Sequence, residues 1–466
     1  ALYDSLKRVA DNSWKVTMRE TGLGHVTDTL HTYEDGMNAQ CHMALMAYGN
    51  PVYFERLLAS VRHYKDLMGV NAAGHLHFRA SDYGRGPDGR ARVSGGARAY
   101  DAGWNALTLQ PGMLVGWYNG DPYCRKVVRD WTDAMMEHSL KELPQTKRLT
   151  GFSVRFDTDA ATPARAFGYG FFDAPWACYD WTGEKKYLDF IRLGIESEFA
   201  SYRHPRQTGI VADRYIALTG DTALGPRYVA AAKDPALWRS SLHNDNYYEL
   251  DAFYLAWQCT GDLAFIDEGM KLTLNDIAWE LPMLTQGEQS TDRVWTPQRL
   301  ANRVALGGSA MLRNELYPRL GASWEHATGR LAPFVRVNRR DRLEAWVCNL
   351  DEREASVTLR AWGLDHGRYR IRQGPDRNLD GRPDTEAETR ATLARFETLA
   401  LKLPPRTVWL VVCEQEEALD DIRARPDLAV CAEDAAYDPE TGRLTFIVHN
   451  IGAKGSGPYD LRVAAG

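Results

Sequence analysis

The residues best suited to chemistry form polar clusters, each at the start of a predicted apolar helix. The densest cluster covers residues 243–251 and combines imidazole, amide, phenol and carboxylate groups. Similar clusters surround Asn38, Trp104 and Trp176. Such groups can transfer protons, and helix N-termini present backbone N–H groups and positive dipole ends to an anion. Clusters in corresponding positions predict one shared site for an anionic substrate, although helix capping alone is the alternative for any single cluster.

In the first cluster, Asp35, Asn38 and His42 are spaced i, i+3 and i+7. Residues at this spacing share one face of a helix. Capping can explain polar residues in the first turn of a helix, but it does not explain His42. We therefore expect His42 to belong to the site, and a hydrogen-bonded core histidine is the alternative.

A long glycine-rich loop is predicted for residues 75–98. It holds more basic than acidic side chains, namely Arg79, Arg85, Arg90, Arg92 and Arg98 against Asp82 and Asp88. Guanidinium groups bind carboxylates and sulfates in a bidentate manner, so the loop is predicted to clamp an acidic polymer, with an ordinary solvated loop as the alternative. His75 and His77 form a His-x-His pair, which is weak evidence for zinc because no third ligand is placed near it.

A calcium loop is predicted further along the chain. Oxygen-bearing residues occupy its positions one, three, five and nine: Asp376, Asn378, Asp380 and Asp384. Gly381 at position six allows the sharp turn of such loops, whereas Ala387 stands where a glutamate is usual. We expect structural calcium here, with a plain Asp/Gly turn as the alternative, and no cofactor for catalysis.

The elements that must position these residues are helical hairpins. A turn of Gly with Asn, Asp or Glu recurs five times between apolar helices, at Gly49, Gly120, Gly183, Gly220 and Gly261. Glycine suits the left-handed end of one helix, and the following polar residue caps the next. Such hairpins build an open solenoid or a closed α/α toroid, and their unequal spacing favours the toroid.

The sequence pattern changes from helical to β after Trp324. Short alternating runs predict an antiparallel β-sandwich, and a further β unit begins after the acidic stretch that ends at Asp421. The expected segments are therefore 1–324, 325–420 and 421–466. In the last, the phrase His449-Asn450-Ile451-Gly452 resembles the opening of the bacterial cell-adhesion-related Ig-like domain. This resemblance implies that the natural chain continues beyond Gly466.

Composition excludes several classes of function. A net charge of −6 gives no general attraction to nucleic acid. No apolar run approaches the roughly 20 residues of a membrane span. The seven cysteines do not follow disulfide spacings, so buried free thiols are expected. The sequence lacks a nucleophile-elbow motif, a phosphate-binding loop and a dinucleotide fingerprint, which argues against hydride and phosphoryl transfer.

Helical hairpins followed by an antiparallel sandwich resemble the α/α-toroid polysaccharide lyases, which include chondroitin, hyaluronan, alginate and heparinase-like enzymes. The resemblance implies β-elimination at a uronic acid by a secreted or periplasmic bacterial monomer acting on an acidic polysaccharide. It also implies a neutraliser of the uronate carboxylate, often Asn with His or Arg, a Tyr or His that removes the C5 proton, and a Tyr that protonates the leaving oxygen.

Residues were matched to these roles by type and expected placement. The candidate neutralisers are Asn38 and Asn246, the candidate bases are His42 and His243, and the candidate bases or acids are Tyr247 and Tyr248. The candidate substrate-binding residues are Arg79, His75, His77, Tyr83, Trp104, Asn105, Trp176 and Glu249.

Two other functions stay open. An α/α-toroid glycoside hydrolase would need two carboxyl groups, for which Asp35 with Glu249 or Asp101 with Asp251 are candidates. A non-catalytic glycan-binding or adhesion protein is favoured by the Ig-like start after residue 421.

Overall fold

The computed structural model describes residues 2–164, 167–168, 170–202, 208–235, 251–285, 299–308 and 316–460. Helices dominate the N-terminal region and antiparallel sheets the C-terminal region, so the predicted order of α then β is confirmed. The chain forms two compact units. The first comprises Ala1–Phe190, Arg313–Tyr317 and Ile422–Gly466, and the second comprises Ile191–Leu312 and Pro318–Asp421.

The helices follow in pairs along the chain. In the first unit they are α1 Leu2–Asn12, α2 Thr29–Thr32, α3 Asn38–Met46, α4 Pro51–Val61, α5 Tyr64–Leu67, α6 Ala106–Tyr118, α7 Pro122–Thr146 and α8 Asp173–Thr182. Helix α9, Lys185–Tyr202, starts in the first unit and ends in the second. The second unit adds α10 Gly209–Thr219, α11 Gly225–Ala232, α12 Asp251–Thr260, α13 Ala264–Thr285 and α14 Arg299–Leu306.

The five predicted turns between helices are confirmed. Gly49, Gly120, Gly183, Gly220 and Gly261 all have positive φ, which L-residues with side chains rarely adopt. The polar residue after the glycine then caps the following helix in the predicted way: the Asn50 side chain accepts a hydrogen bond from Val52 N, and Asp121 accepts one from Cys124 N.

Helix α6 forms the centre of the first unit, with buried residues on all its faces. Pro111 lies inside this helix, and the hydroxyl of Tyr64 is inserted beside it. That hydroxyl donates to Thr108 O (2.8 Å) and accepts from Gly112 N (3.0 Å). A side chain from α5 therefore takes the place of a backbone hydrogen bond of α6.

Short strands complete the first unit. They are β1 Thr27–Asp28, β2 Met68–Val70, β3 Leu76–Phe78, β4 Asp82–Arg85, β5 Ala91–Val93, β6 Tyr100–Ala102, β7 Gly151–Arg155 and β8 Ala161–Ala164. They form the sheets β1-β4-β5, β2-β3 and β6-β7-β8. The prediction of one long loop over residues 75–98 was wrong, because strands β3, β4 and β5 lie within it and pair with other strands.

The predicted antiparallel sandwich strands are confirmed in the second unit. They are β9 Ala322–Glu325, β10 Leu331–Asn338, β11 Arg342–Asn349, β12 Ala355–Ala361, β13 Gly367–Pro375, β14 Ala387–Leu393, β15 Thr398–Leu403 and β16 Val408–Ala418. One sheet has the order β10-β11-β16-β13-β14 and the other β15-β12-β9. Alternating apolar side chains from both sheets, among them Val335, Val357 and Val411, fill the core of the sandwich.

Two strand pairs follow in the C-terminal segment of the first unit. Strand β17 Leu428–Ala429 pairs with β20 His449–Asn450, and β18 Ala435–Asp438 pairs with β19 Arg443–Phe446.

None of the described helices is both long and apolar enough to cross a membrane. All seven cysteines are free, and Cys41, Cys124, Cys178 and Cys413 are buried.

Candidate metal centre

Three histidines and one aspartate meet where helix α7 packs against the small sheets of the first unit. His75 precedes strand β3, His77 lies within it, His138 belongs to α7, and Asp159 lies in the turn between β7 and β8. On α7, His138 continues the buried stripe of Trp131 and Met135 at i, i+4 and i+7. Three separate segments of the chain therefore supply the four side chains, two of them from the strand β3 segment.

The spacing of these side chains suits a small metal ion. Atom Oδ1 of Asp159 lies 3.1 Å from His75 Nδ1, 3.5 Å from His77 Nε2 and 3.5 Å from His138 Nε2. One ligand atom from each of the four residues lies within 4.8 Å of all the others. Zinc bonds of about 2.0–2.1 Å to nitrogen or oxygen give tetrahedron edges of about 3.3 Å, which is close to the three distances from Asp159.

The orientation of His77 is fixed from behind by a buried carboxylate. Its Nδ1–H donates to Asp101 Oδ2 over 2.9 Å, and both side chains are fully buried. Asp101 also accepts hydrogen bonds from Phe78 N, Trp131 Nε1 and Asn105 Nδ2. With its proton held on Nδ1, the imidazole directs an unprotonated Nε2 towards Asp159, as in the carboxylate–histidine–metal arrangement of metalloproteins.

Two nitrogen atoms of the cluster lack a protein partner. Among the described residues, Nε2 of His77 and Nε2 of His138 are buried and form no hydrogen bond. Buried polar atoms of folded proteins are rarely left without a partner, because the cost of desolvation is then not compensated. A metal ion bound to both nitrogens would satisfy them.

The pKa shifts of His138 and Asp159 also suit metal binding. Burial lowers the pKa of His138, and His77 and His75 lower it further against the opposing effect of Asp159. Burial alone would raise the pKa of Asp159, but hydrogen bonds from Asn71 and His75 outweigh it and the pKa is lowered. Neutral imidazoles and an ionised carboxylate are the forms that bind metal ions.

The other described residues that were predicted to bind substrate are not among the four candidate metal ligands. Tyr83, Asn105 and Trp176 are buried. Asn105 bonds to Thr29 and donates to Asp101, so it supports the carboxylate behind His77. Arg79 is exposed, donates from Nε to Met68 O and lies over the ring of Phe156. Trp104 is 38 % exposed.

The expected shared face of Asp35, Asn38 and His42 was wrong. Gly36, with φ 154°, interrupts the helix between Asp35 and Asn38. A Cβ at this glycine would lie only 3.0 Å from side-chain atoms of Met18 and Ser13, so a larger residue would fit poorly there. Asn38 and His42 remain on one helix, where His42 Nδ1–H donates to Asn38 O and burial lowers the pKa of His42.

Several predicted residues lie outside the described part of the chain. They are His243, Asn246, Tyr247, Tyr248 and Glu249. Their roles stay predictions.

The predicted calcium loop is a compact turn whose carboxylates contact protein donors. Asp376 is buried and accepts hydrogen bonds from Trp346 Nε1, Asp380 N and Gly381 N. Asp384 pairs with Arg377, and Asn378 donates to Asp380. Calcium at this loop stays a prediction.

His138 and Asp159 were not predicted as site residues. They lie far along the chain from His77, in a long helix and in a hairpin turn, and no spacing rule connects such positions. A partial signal was available, because a histidine on the apolar stripe of an amphipathic helix must find a buried partner.

Comparison with known proteins gives no assignment. No family model and no curated protein matches the chain. Among solved structures, it is similar to the Pseudomonas fluorescens alkylpurine DNA glycosylase AlkC bound to DNA containing an abasic site analog. That match has 10% identity, covers 97% of this chain and 96% of the other, and has a TM-score of 0.19, which is too low to support an argument about fold or function.

Proposed function

We propose that the protein is a zinc-binding polysaccharide lyase in which the metal stabilises the fold. The zinc proposal rests on one observation: the unpartnered, buried Nε2 atoms of His77 and His138 lie at ligand spacing from Asp159. Three imidazoles with one carboxylate form a donor set that zinc prefers, whereas calcium and magnesium prefer sites made of oxygen atoms.

The proposed role of the zinc is structural. Catalytic zinc sites keep one position for water or substrate, whereas structural sites are closed by four protein ligands. His75, His77, His138 and Asp159 together supply four ligands, and two of the histidines are buried. Zinc bound here would join strand β3, helix α7 and the β7–β8 turn, which lie far apart in the sequence.

The zinc proposal is tested on the purified full chain. We expect close to one zinc per chain by elemental analysis. His138→Ala should lose most of the metal and melt at a lower temperature, because metal binding contributes directly to folding free energy. His31→Ala, which removes an exposed histidine, is the matched control and should keep the zinc. A wild-type protein that purifies and reconstitutes without stoichiometric zinc would contradict the proposal.

The lyase proposal is supported by the order of helical hairpins and antiparallel sandwich. It includes closure of the hairpins into a toroid, the segments 1–324, 325–420 and 421–466, and export from a bacterial cell. The catalytic residues remain those matched by type: His243, Asn246, Tyr247, Tyr248, His42 and Asn38.

The contacts of two carboxylates weaken the hydrolase alternative. Asp101 accepts hydrogen bonds from four groups, one of them His77. Asp251 is buried and pairs with the fully buried Arg303. A general acid or base must reach the substrate, so this pair is poorly placed for glycoside hydrolysis.

A substrate panel tests the lyase proposal. The zinc-loaded protein is incubated with glycosaminoglycans, alginate, glucuronan, ulvan and pectins, and the ultraviolet absorbance of the products is followed. β-Elimination creates a C4–C5 double bond that absorbs, and hydrolysis does not. Shortened products without this absorbance would favour the hydrolase, and bound but unshortened polymer would favour the non-catalytic alternative.

We further propose that the Asp376 loop binds calcium. Calcium added to the zinc-loaded protein should then raise its melting temperature. An unchanged melting temperature would leave the loop as an Asp/Gly turn.

A further inference from the structure

The second unit contains a cleft of about 630 Å³. It lies among helices α10 and α12 and strands β10 and β11, and Leu379 of the Asp376 loop also lines it. Its volume falls within the range of about 300–1,000 Å³ that is typical of small-molecule sites. The cleft is therefore large enough for a short oligosaccharide.

The described lining of the cleft is rich in arginine, and three of these arginines also pair with carboxylates outside the lining, Glu344, Asp341 and Glu414. It contains four arginines: Arg214, Arg336, Arg339 and Arg342. The one carboxylate in the same lining, Asp213, is buried and lies 2.9 Å from Arg303, so its charge is already paired. Arginine groups bind carboxylates through parallel N–H donors, which favours an anionic ligand.

The cleft arginines are held in place by neighbouring side chains. The guanidinium of Arg336 lies 4.0 Å above the ring of Trp346, and its NH1 contacts Glu344. Trp346 is fixed in turn by donating its Nε1–H to Asp376. Each guanidinium has five N–H donors, and these contacts of Arg336 use few of them. The Asp376 loop thus orients one wall of the cleft.

A row of packed aromatic rings lies beside the cleft, and three of them, the buried Tyr254, Trp257 and Trp346, are part of its lining. Tyr254 contacts Trp257, Trp257 contacts Phe334, and Phe334 contacts Trp346, with ring centroids 5.2, 4.9 and 5.9 Å apart. Beside them, Gln258 donates to Asp213 O, while its buried Oε1 has no hydrogen-bond partner among the described residues. The packed rings give the cleft a rigid wall, and the unpaired acceptor of Gln258 suits a sugar hydroxyl group.

We propose that this cleft binds a carboxylated oligosaccharide, with Arg336, Arg339 and Arg342 contacting its carboxylates. The inference deepens the proposed lyase function and rests on it for the choice of a sugar ligand. The four arginines of the lining and the volume of the cleft support it together.

Calorimetric titration of the zinc-loaded full chain with tetragalacturonate tests the proposal. We expect binding that weakens with salt, and no comparable binding of neutral maltotetraose. Arg339→Ala should weaken binding about tenfold, because a charge-assisted hydrogen bond is lost. Arg339 is exposed and pairs with Asp341 on the surface, so this variant should fold.

The matched control is Arg390→Ala. Arg390 is also an exposed sandwich arginine, it pairs with Glu416, and it does not line the cleft. It should leave binding unchanged. Maltotetraose that binds as tightly as tetragalacturonate would overturn the proposal, and so would an equal loss of affinity in Arg339→Ala and Arg390→Ala. A protein that binds a sulfated heparin tetrasaccharide but not tetragalacturonate would also overturn it.

The two proposals fail separately in this design. Binding of tetragalacturonate that depends on Arg339, without any ultraviolet-absorbing product from the polymer panel, would refute the lyase and keep the cleft. If the wild-type protein degrades a uronate polymer, and Arg339→Ala and Arg336→Gln keep the same activity and the same affinity for tetragalacturonate, the cleft proposal is refuted and the lyase proposal is kept.

Discussion

Asp101 affects the metal centre without contributing a ligand atom to it. Its carboxylate is fully buried and accepts hydrogen bonds from two side chains of different elements, Trp131 of α7 and Asn105 next to α6, besides His77 and Phe78 N. These four donors fix the orientation of the carboxylate. It therefore holds the Nδ1 proton of His77 and leaves Nε2 available for the metal.

We predict that Asp101→Asn lowers zinc affinity by about 10- to 100-fold while keeping the four ligands in the chain. The amide has the shape of the carboxylate, but it is a weaker acceptor for the Nδ1–H of His77. Competition with a chelator of known affinity measures the effect. Asp121→Asn is the control, because asparagine caps helices as well as aspartate does. Wild-type affinity in Asp101→Asn would show that the carboxylate does not orient His77.

At the scale of elements, helix α6 depends on a residue outside it. Pro111 cannot donate a backbone hydrogen bond, and the Tyr64 hydroxyl bridges Thr108 O and Gly112 N in the same turn. The close packing is visible at Gly112, where a Cβ would lie 2.9 Å from the ring of Tyr64. Helices α5 and α6 therefore stabilise each other through one side chain.

We predict that Tyr64→Phe lowers the free energy of unfolding by about 1–3 kcal/mol, because it leaves two buried backbone groups without their partner. Denaturation by urea measures the change. Tyr33→Phe is the matched control: its hydroxyl is also buried but has no hydrogen-bond partner among the described residues, so its removal should cost little. Equal effects of both substitutions would refute the role of the Tyr64 hydroxyl.

Local chemistry explains which elements could be predicted from the sequence. The five glycine turns follow from the φ preference of glycine, and the sandwich strands follow from the alternation of apolar and polar residues. Both signals lie in residues that are close together in the sequence. Strands β3, β4 and β5 were missed because each has only three or four residues, too few to show an alternating pattern. A different limit applies to the metal centre: the spacing of His75 and His77 was visible, but only tertiary structure brings His138 and Asp159 to them.

At the scale of the molecule, the C-terminal segment returns to the N-terminal helices of the first unit. Asn119 Nδ2, in the turn between α6 and α7, donates to Ile451 O over 2.9 Å, and Tyr118 donates to Asp427 over 2.7 Å. Ile451 is buried. His449 contacts Glu55 of helix α4 as well as Asp434 of its own segment. The short strands β17 to β20 are thus attached through polar contacts and one apolar side chain.

His449 makes this attachment sensitive to pH. The hydrogen bond to Asp434 raises the pKa of His449, burial opposes the shift, and Glu55 adds to it. A raised pKa in the folded state means that His449 binds its proton more tightly there than in the unfolded chain. The stabilisation is complete below the unfolded pKa of about 6.5 and is lost as the pH rises through the higher folded pKa.

We predict that His449→Gln lowers the melting temperature at pH values below about 6.5, and that the difference from wild type shrinks as the pH rises into the alkaline range. Measuring both proteins in parallel cancels the pH dependence of zinc binding, because the variant keeps all four metal ligands. His31→Gln is the control: His31 also pairs with an aspartate, Asp28, but both are exposed on one segment and join no distant parts of the chain. It should change the melting temperature much less. A difference between His449→Gln and wild type that stays constant with pH would show that the protonated ring is not what attaches the C-terminal segment.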